Sequence, residues 1–311
     1  MAYESMKKQN FGIEIELTGI TRRKAADVIA RYFGTTSTHA GGGYDPYTAT
    51  DRKGRVWRAM TDGSIHTKKR VNGVLIDANR DYSCEVVSPV LQYEDMEDLQ
   101  EIIRLLRKAG AIANSSCGIH VHVDGKDHTP ESLTRLMGFA IGRQDLFYEA
   151  LGIGDRANRW CKKMNRNLLQ AMKKDAVRTK DSLERIWYSA VNDGYEGGID
   201  HQHYNSSRYH GINLHAFFTK GTVEFRLFNG TTHAGKIKAY VQFCLAMSAW
   251  ALDCPSERLF FKDCRDYTQE QKGALMGRVL ADRLGLRGKE FNTCREHLTA
   301  VFRPQAEAAA A

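Results

Sequence analysis

Four short segments place acids and histidines at alternate positions among hydrophobic residues: FGIEIEL (11–17), SCEVVSP (83–89), CGIHVHV (117–123) and TVEFRLF (222–228). Successive side chains of a β-strand point to opposite faces, so Glu14 and Glu16 share one side and Phe11, Ile13, Ile15 and Leu17 the other. The same spacing puts His120 with His122, and Glu224 with Arg226. An ordinary solvated face would mix Lys, Thr, Ser and Glu, whereas here Glu and His dominate the polar positions, with one Arg and no Lys. Carboxylates on strands that pair repel one another unless a cation sits among them, and a divalent metal cluster is the natural candidate. Carboxylates with one imidazole make a hard, oxygen-rich site that favours Mg²⁺ or Mn²⁺ over zinc, and such ions are most useful where they bridge nucleotide phosphates. Arg226 supplies a permanent cation where a transferred phosphoryl group would need one. The plainer alternative makes Glu224 and Arg226 a surface ion pair and the two histidines solvated strand residues. One segment alone does not decide between these readings; the four together favour the metal.

The elements that must position these residues are legible in outline. A chain of 311 residues can bury a large core as one large domain or two small ones, and 42% hydrophobic with 26% charged content is ordinary for a globular enzyme or binding protein. No apolar run approaches the roughly 20 residues of a membrane span, and MAYESMKKQNFG lacks the apolar core of a secretory signal, so a cytoplasmic protein is expected. Seven scattered cysteines without a C-x-x-C pair read as reduced, mostly buried thiols. The net charge of +8 suits an anionic partner such as a nucleotide, a phosphorylated intermediate or an acidic substrate; its spread along the chain argues against a dedicated nucleic-acid binder.

Thr21 is placed to cap a helix over 22–33 that Gly34 closes. The Gly- and Thr-rich stretch 35–50, with Gly41, Gly42 and Gly43, lacks a following GK[ST]; it reads as a mobile loop and a lid candidate rather than a phosphate cradle. Strand material is expected over 55–66 and 74–88, and helices over 94–109, from Thr129-Pro130 onward, over 165–176, 181–192, 235–252 and 269–285. Thr268 and Gln271 form a capping-box signature for the last of these, 235–252 is apolar enough to be a buried helix, and the tail 304–311 reads as disordered or appended. Strands and helices in irregular alternation argue for an α+β fold with a largely antiparallel sheet.

In this order, the four segments resemble the amidoligase family, a branch of the superfamily holding glutamine synthetase and glutamate–cysteine ligase, carboxylate–amine ligases that use ATP. The resemblance spans about residues 11–250 and rests on FGIEIEL, the W-x-x-x-x-D-G-S-I stretch from Trp57 to Ile65, EVVSP, CGIHVHV, RYHGINL (208–214) and TVEFRLFNGTTHAGK (222–236). It implies a glutamine synthetase-like catalytic fold, a curved, mostly antiparallel sheet forming a funnel with helices packed behind, as one domain over 1–303. It also implies that Glu14, Glu16, Glu85, His120 and Glu224 hold two or three Mg²⁺ or Mn²⁺ ions, and that Arg226 contacts the phosphates of ATP and stabilises an acyl phosphate. Asp62 matches an active-site acid, set farther from Glu85 here by the interposed NGVLIDANRDYSC. His122 is either a further ligand or a residue behind the ligands or facing substrate. In a strand GINLHAF, Asn213 and His215 would share a face; Asn213 and Arg208 would orient a substrate carboxylate or phosphate, or serve a turn or strand end. Trp57 reads as core, with stacking on adenine the alternative, and His201 and His203 as a solvated loop. The implied reaction joins a carboxylate and an amine, from small molecules or peptides, into an amide. A metal-dependent phosphotransferase would use the same ligands and stop at phosphoryl transfer, and a nucleic-acid-binding protein would leave the Glu/His strands without a purpose.

Overall fold

Strand β1, Phe11–Leu17, shows why the alternation matters: Phe11, Ile13, Ile15 and Leu17 are at most 1% exposed and form one apolar row. A computed structural model describes residues 4–174, 177–191, 198–254 and 263–303, with ten α-helices and a large antiparallel sheet among them. The chain divides into two compact units, one made of Asn10–Val121 with Phe228–Tyr240 and the other of Met1–Gln9, His122–Leu227 and Val241–Ala311.

In the first unit β1 is joined by β2 (Ser37–His39), β3 (Tyr47–Thr50), β4 (Val56–Met60), β7 (Cys84–Val87) and the start of β8 (Gly118–Asp124) in the order β2-β3-β4-β7-β1-β8. The pairs β1–β7, β4–β7, β3–β4 and β2–β3 are antiparallel. Register aligns Ile15 with Val86 and Val86 with Ala59, each at most 1% exposed, so the apolar face continues across three strands. The helix Arg22–Phe33 covers that face over β2, β3 and β4. It begins where Thr21 accepts the Lys24 N–H and ends at Gly34, whose φ of 73° lets its N–H cap the last turn. The helix Met96–Lys108 packs beside it through a stripe of Leu99, Ile102, Ile103 and Leu106, with acids in its first turn and bases in its last.

Two stretches of this first unit depart from the sequence expectation. Residues 35–50 are not one loop: β2 and β3 pair as a hairpin, with Gly41 and Gly42 at positive φ in its turn. Thr, Tyr and Ser at alternating positions fit a pleated ladder on β4, which outweighs the local glycine content. Residues 74–88 are not one strand: a helical turn over Arg80–Tyr82 separates β6 (Val74–Asp77) from β7, and Asn72 and Gly73, both at positive φ, make a two-residue turn that folds β5 (Lys68–Val71) onto β6 instead. This separate hairpin lies between Asp62 and β7.

In the second unit β8 continues from His122 beside β10 (Thr222–Asn229), which pairs antiparallel with the short β9 (Ile212–Asn213). The expected strand GINLHAF stops at Asn213. Residues His215–Lys220 form a helical turn closed by Gly221 at φ 76°, and His215 accepts or donates at 2.6 Å to the buried Tyr188 hydroxyl instead of sharing a strand face with Asn213. The helix Ala234–Asp253 is buried along nearly all its length, as its composition requires. Thr268 and Gln271 form the expected capping box, but the helix they start becomes a π-helical turn over Val279–Arg283 after Arg278. The helices Arg166–Lys174 and Lys180–Val191 match expectation up to residues 175, 176 and 192, which lie outside the described residues, as does the tail 304–311. None of the seven cysteines is in a disulfide and six are buried; burial pushes the Cys84 and Cys294 thiols up to about 12, which leaves them inert. No helix among the described residues is long and apolar enough to cross a membrane.

Candidate metal centre

The first unit contributes a cluster of acids around one imidazole. Register places Glu16 directly opposite Glu85 on the face turned away from Ile15 and Val86. Directly opposed residues hold their Cβ atoms about 5 Å apart, so both carboxylates must meet. They are 5% and 9% exposed, and His120 on β8 is 3% exposed. One ligand atom from each of Glu16, Glu85 and His120 lies within 4.8 Å of the other two. The Gly118 N–H donates to Glu16 Oε2 at 2.6 Å, which aims the other oxygen toward His120 Nε2, 3.8 Å away. On the other side of the ring, His120 Nδ1 lies 3.0 Å from Glu14 Oε2. Three carboxylates outnumber the single imidazole, and this hard oxygen-rich donor set fits Mg²⁺ or Mn²⁺.

The second unit has a buried ion pair of its own, held from three sides. Glu224 lies opposite Asn213 in the β10–β9 ladder, and Asn213 Nδ2 donates to Glu224 Oε2 at 2.6 Å. Arg226, two residues along the same face, donates through Nη1 to Glu224 Oε1 at 2.5 Å and through Nε to the Trp160 carbonyl at 3.3 Å. Its guanidinium lies 5.9 Å from the Tyr209 ring centre. Glu224 and Arg226 are 3% and 5% exposed, so the surface ion-pair alternative is excluded. His122 is mostly buried as well: its Nδ1 lies 3.2 Å from Thr222 Oγ1 and its Nε2 3.8 Å from Glu224 Oε1. The alternation of TVEFR already puts Thr222 on the Glu224 face. Trp160 gave no such signal, because it reaches Arg226 by a backbone carbonyl from an irregular segment.

The family model described as "Putative amidoligase enzyme" matches residues 7–248. The chain belongs to this family. The match takes in the acids, histidines and arginine of both units, and a comparison with curated proteins finds no match.

Within this amidoligase-family chain the other expected residues fall as follows. Asp62 is half-buried and accepts from the backbone N–H and hydroxyl of Ser64, both at 2.6 Å, which closes its own turn. Its backbone N–H and carbonyl both meet the Ser83 hydroxyl, two residues before Glu85, so the long interposed segment loops out without drawing Asp62 away from β7. Arg208 donates to the His203 carbonyl at 2.7 Å, with its guanidinium 5.9 and 5.7 Å from the ring centres of Tyr204 and Tyr209. Trp57 is 1% exposed and packs near Phe33, a core residue with no open ring face for adenine. His201 and His203 are exposed in a loop, His201 paired with Glu184.

Proposed function

We propose that the chain is a carboxylate–amine ligase that uses ATP and a divalent cation, Mg²⁺ or Mn²⁺, and works through an acyl phosphate. The observation that carries this reading is the facing pair Glu16 and Glu85, two buried carboxylates with His120 in reach. Like charges directly opposite on a sheet are destabilising, and an arrangement that tolerates them is suited to a cation. Membership of the amidoligase family and the antiparallel sheet support the ligase class and a glutamine synthetase-like fold.

On this reading Glu14, Glu16, Glu85, His120 and Glu224 would hold two or three ions, which would supply charge compensation for the ATP phosphates. Arg226 offers a planar guanidinium, already oriented by the Trp160 carbonyl and Glu224, to the phosphoryl oxygens during transfer, so little reorganisation is needed then. Asn213 acts as a positioning residue that fixes the Glu224 carboxylate. Arg208 and Asp62 remain the candidates for orienting substrate and for an acid beside the centre. A substrate carboxylate accepts the γ-phosphoryl group and ADP leaves; an amine attacks the acyl carbon, and phosphate departs as the amide forms.

Product analysis tests the reading. Amine-dependent release of ADP and phosphate in the presence of Mg²⁺ or Mn²⁺ is expected. A stable phosphorylated product without amine dependence would make the chain a phosphotransferase, and AMP with pyrophosphate would overturn the acyl phosphate.

A further inference from the structure

The first unit carries a second polar site on the reverse face of its sheet. Register runs in unbroken rows from the core to the sheet edge: Ile15 faces Val86, Val86 faces Ala59, Ala59 faces Tyr47, and Tyr47 faces His39 on the edge strand β2. Opposed residues share a face, so His39 and Tyr47 lie on the side covered by the helix Arg22–Phe33. The Glu16–Glu85 pair lies on the other side. Ser37, opposite Ala49 and hence Trp57, is on the helix side too.

Between that helix and β2 lies a groove of about 650 Å³, a volume within the range of small-ligand sites. The helix lines it with Arg23, Asp27 and Arg31, spaced four residues apart on one flank. An acid four residues from a base on a helix ordinarily pairs with it. Here the Asp27 carboxylate accepts from the Ser37 hydroxyl instead, while Arg31 Nε donates to the Asp27 carbonyl at 3.2 Å. Neither Arg23 nor Arg31 makes an ion pair among the described residues, and both are exposed. On the strand side the His39 ring packs against Tyr47, ring centres 4.6 Å apart and planes tilted by 31°, and its Nε2 lies 2.6 Å from Asp45 Oδ1. That contact holds Asp45 to the hairpin, and Asp45 is ion-paired with Arg22, so it does not oppose an anion; in the lining itself the two arginines outnumber the one carboxylate, Asp27. Thr35 and Thr36 add hydroxyls at the helix end of the groove.

We infer that this groove binds a small polyanion, phosphorylated or polycarboxylic, independently of the carboxylate centre. Arg23 and Arg31 are two helical turns apart, about 12 Å along the axis, so each is spaced to take an anionic group at one end of an extended molecule. The Thr36 hydroxyl is placed to donate to its oxygens, the Ser37 and Thr35 hydroxyls already serving Asp27 and the Thr50 carbonyl, and the His39–Tyr47 pair forms one wall. Nothing in this assignment depends on the ligase reading.

Calorimetric titration with tripolyphosphate and with citrate, in EDTA at moderate ionic strength, tests it. Withholding divalent ions keeps the acid cluster, which repels anions, from contributing. Saturable binding of one stoichiometric anion is expected, and the preferred probe tells phosphoryl from carboxylate chemistry. Arg23→Gln with Arg31→Gln should weaken it at least tenfold, while Glu16→Gln should leave it within about twofold. The Lys pair, Arg23→Lys with Arg31→Lys, should recover only part of the affinity, because a point charge lacks the planar fork. Both arginines are exposed, so circular dichroism should show the variants folded. Equal binding by wild type and the Gln double variant, or no saturable binding of either anion, would overturn the inference.

Discussion

The facing carboxylates lead to a prediction whose sign reverses with metal. Ligand oxygens of Glu16 and Glu85 lie within 4.8 Å of each other. At an effective dielectric of about 20, two unit charges at that distance repel by about 3 kcal/mol. Glu85→Gln removes one charge and keeps the shape, so in EDTA the variant should be more stable than wild type, by up to about 3 kcal/mol less the strain of fitting an amide. For a chain of this size that corresponds to a rise of roughly 5 °C in unfolding midpoint. In saturating Mg²⁺ or Mn²⁺ the order should invert. Wild type gains the stabilisation that follows from binding only the folded state, about 2.7 kcal/mol at a hundredfold excess over Kd, and the variant loses most of that gain. Differential scanning fluorimetry, with chemical denaturation as a control, measures both arms on the same preparations. If Glu85→Gln is destabilised in EDTA and responds to metal as wild type does, hydrogen bonds rather than a cation balance these acids, and the metal-centre argument fails.

Arg226→Lys keeps the charge but loses the fork that meets both Glu224 and the Trp160 carbonyl; turnover should fall about 10²–10³-fold with little change in ATP affinity, and near wild-type turnover would remove Arg226 from the chemistry. His128 sits between the Ser132 and Ser248 hydroxyls at 2.9 and 2.8 Å, and burial holds its imidazole down to about 4. The neutral ring therefore stabilises the fold fully above the unfolded value near 6.5, and that contribution is lost as pH falls toward 4, about 3 kcal/mol by then. Urea midpoints from pH 7 to pH 4 should show this acid limb in wild type and a shallower one in His128→Gln; identical slopes would refute it. Gly230→Ala would set a Cβ 2.5 Å from Cys117 Cβ and 2.9 Å from its carbonyl oxygen, so unfolding should become about 1–3 kcal/mol easier. A change below about 0.5 kcal/mol would show that the backbone at Cys117 yields there.

Local chemistry accounts for what could be read directly. Thr21 and Gly34 set the ends of the helix Arg22–Phe33, and Thr268 with Gln271 the start of another, because a cap needs only residues three or four apart. Where a non-local ladder competed, local reading failed. The 35–50 segment looks like a loop by composition and becomes a hairpin because β4 offers a pairing edge. GINLHAF alternates like a strand, yet the Gly221 cap and the His215–Tyr188 contact turn its second half helical.

The sequence alone determined which face each acid, histidine and arginine occupies within its own strand, since a period of two is a property of the extended backbone. It also determined the amidoligase-family membership, whose motifs lie within those strands. Only the tertiary structure decided the partners. That Glu16 meets Glu85 across about seventy residues, that Asn213 clasps Glu224, and that Asp62 rejoins β7 behind an extra hairpin all depend on register. Register is fixed by hydrogen bonds and core packing between distant segments, and a slip of one residue would turn every one of these side chains to the other face.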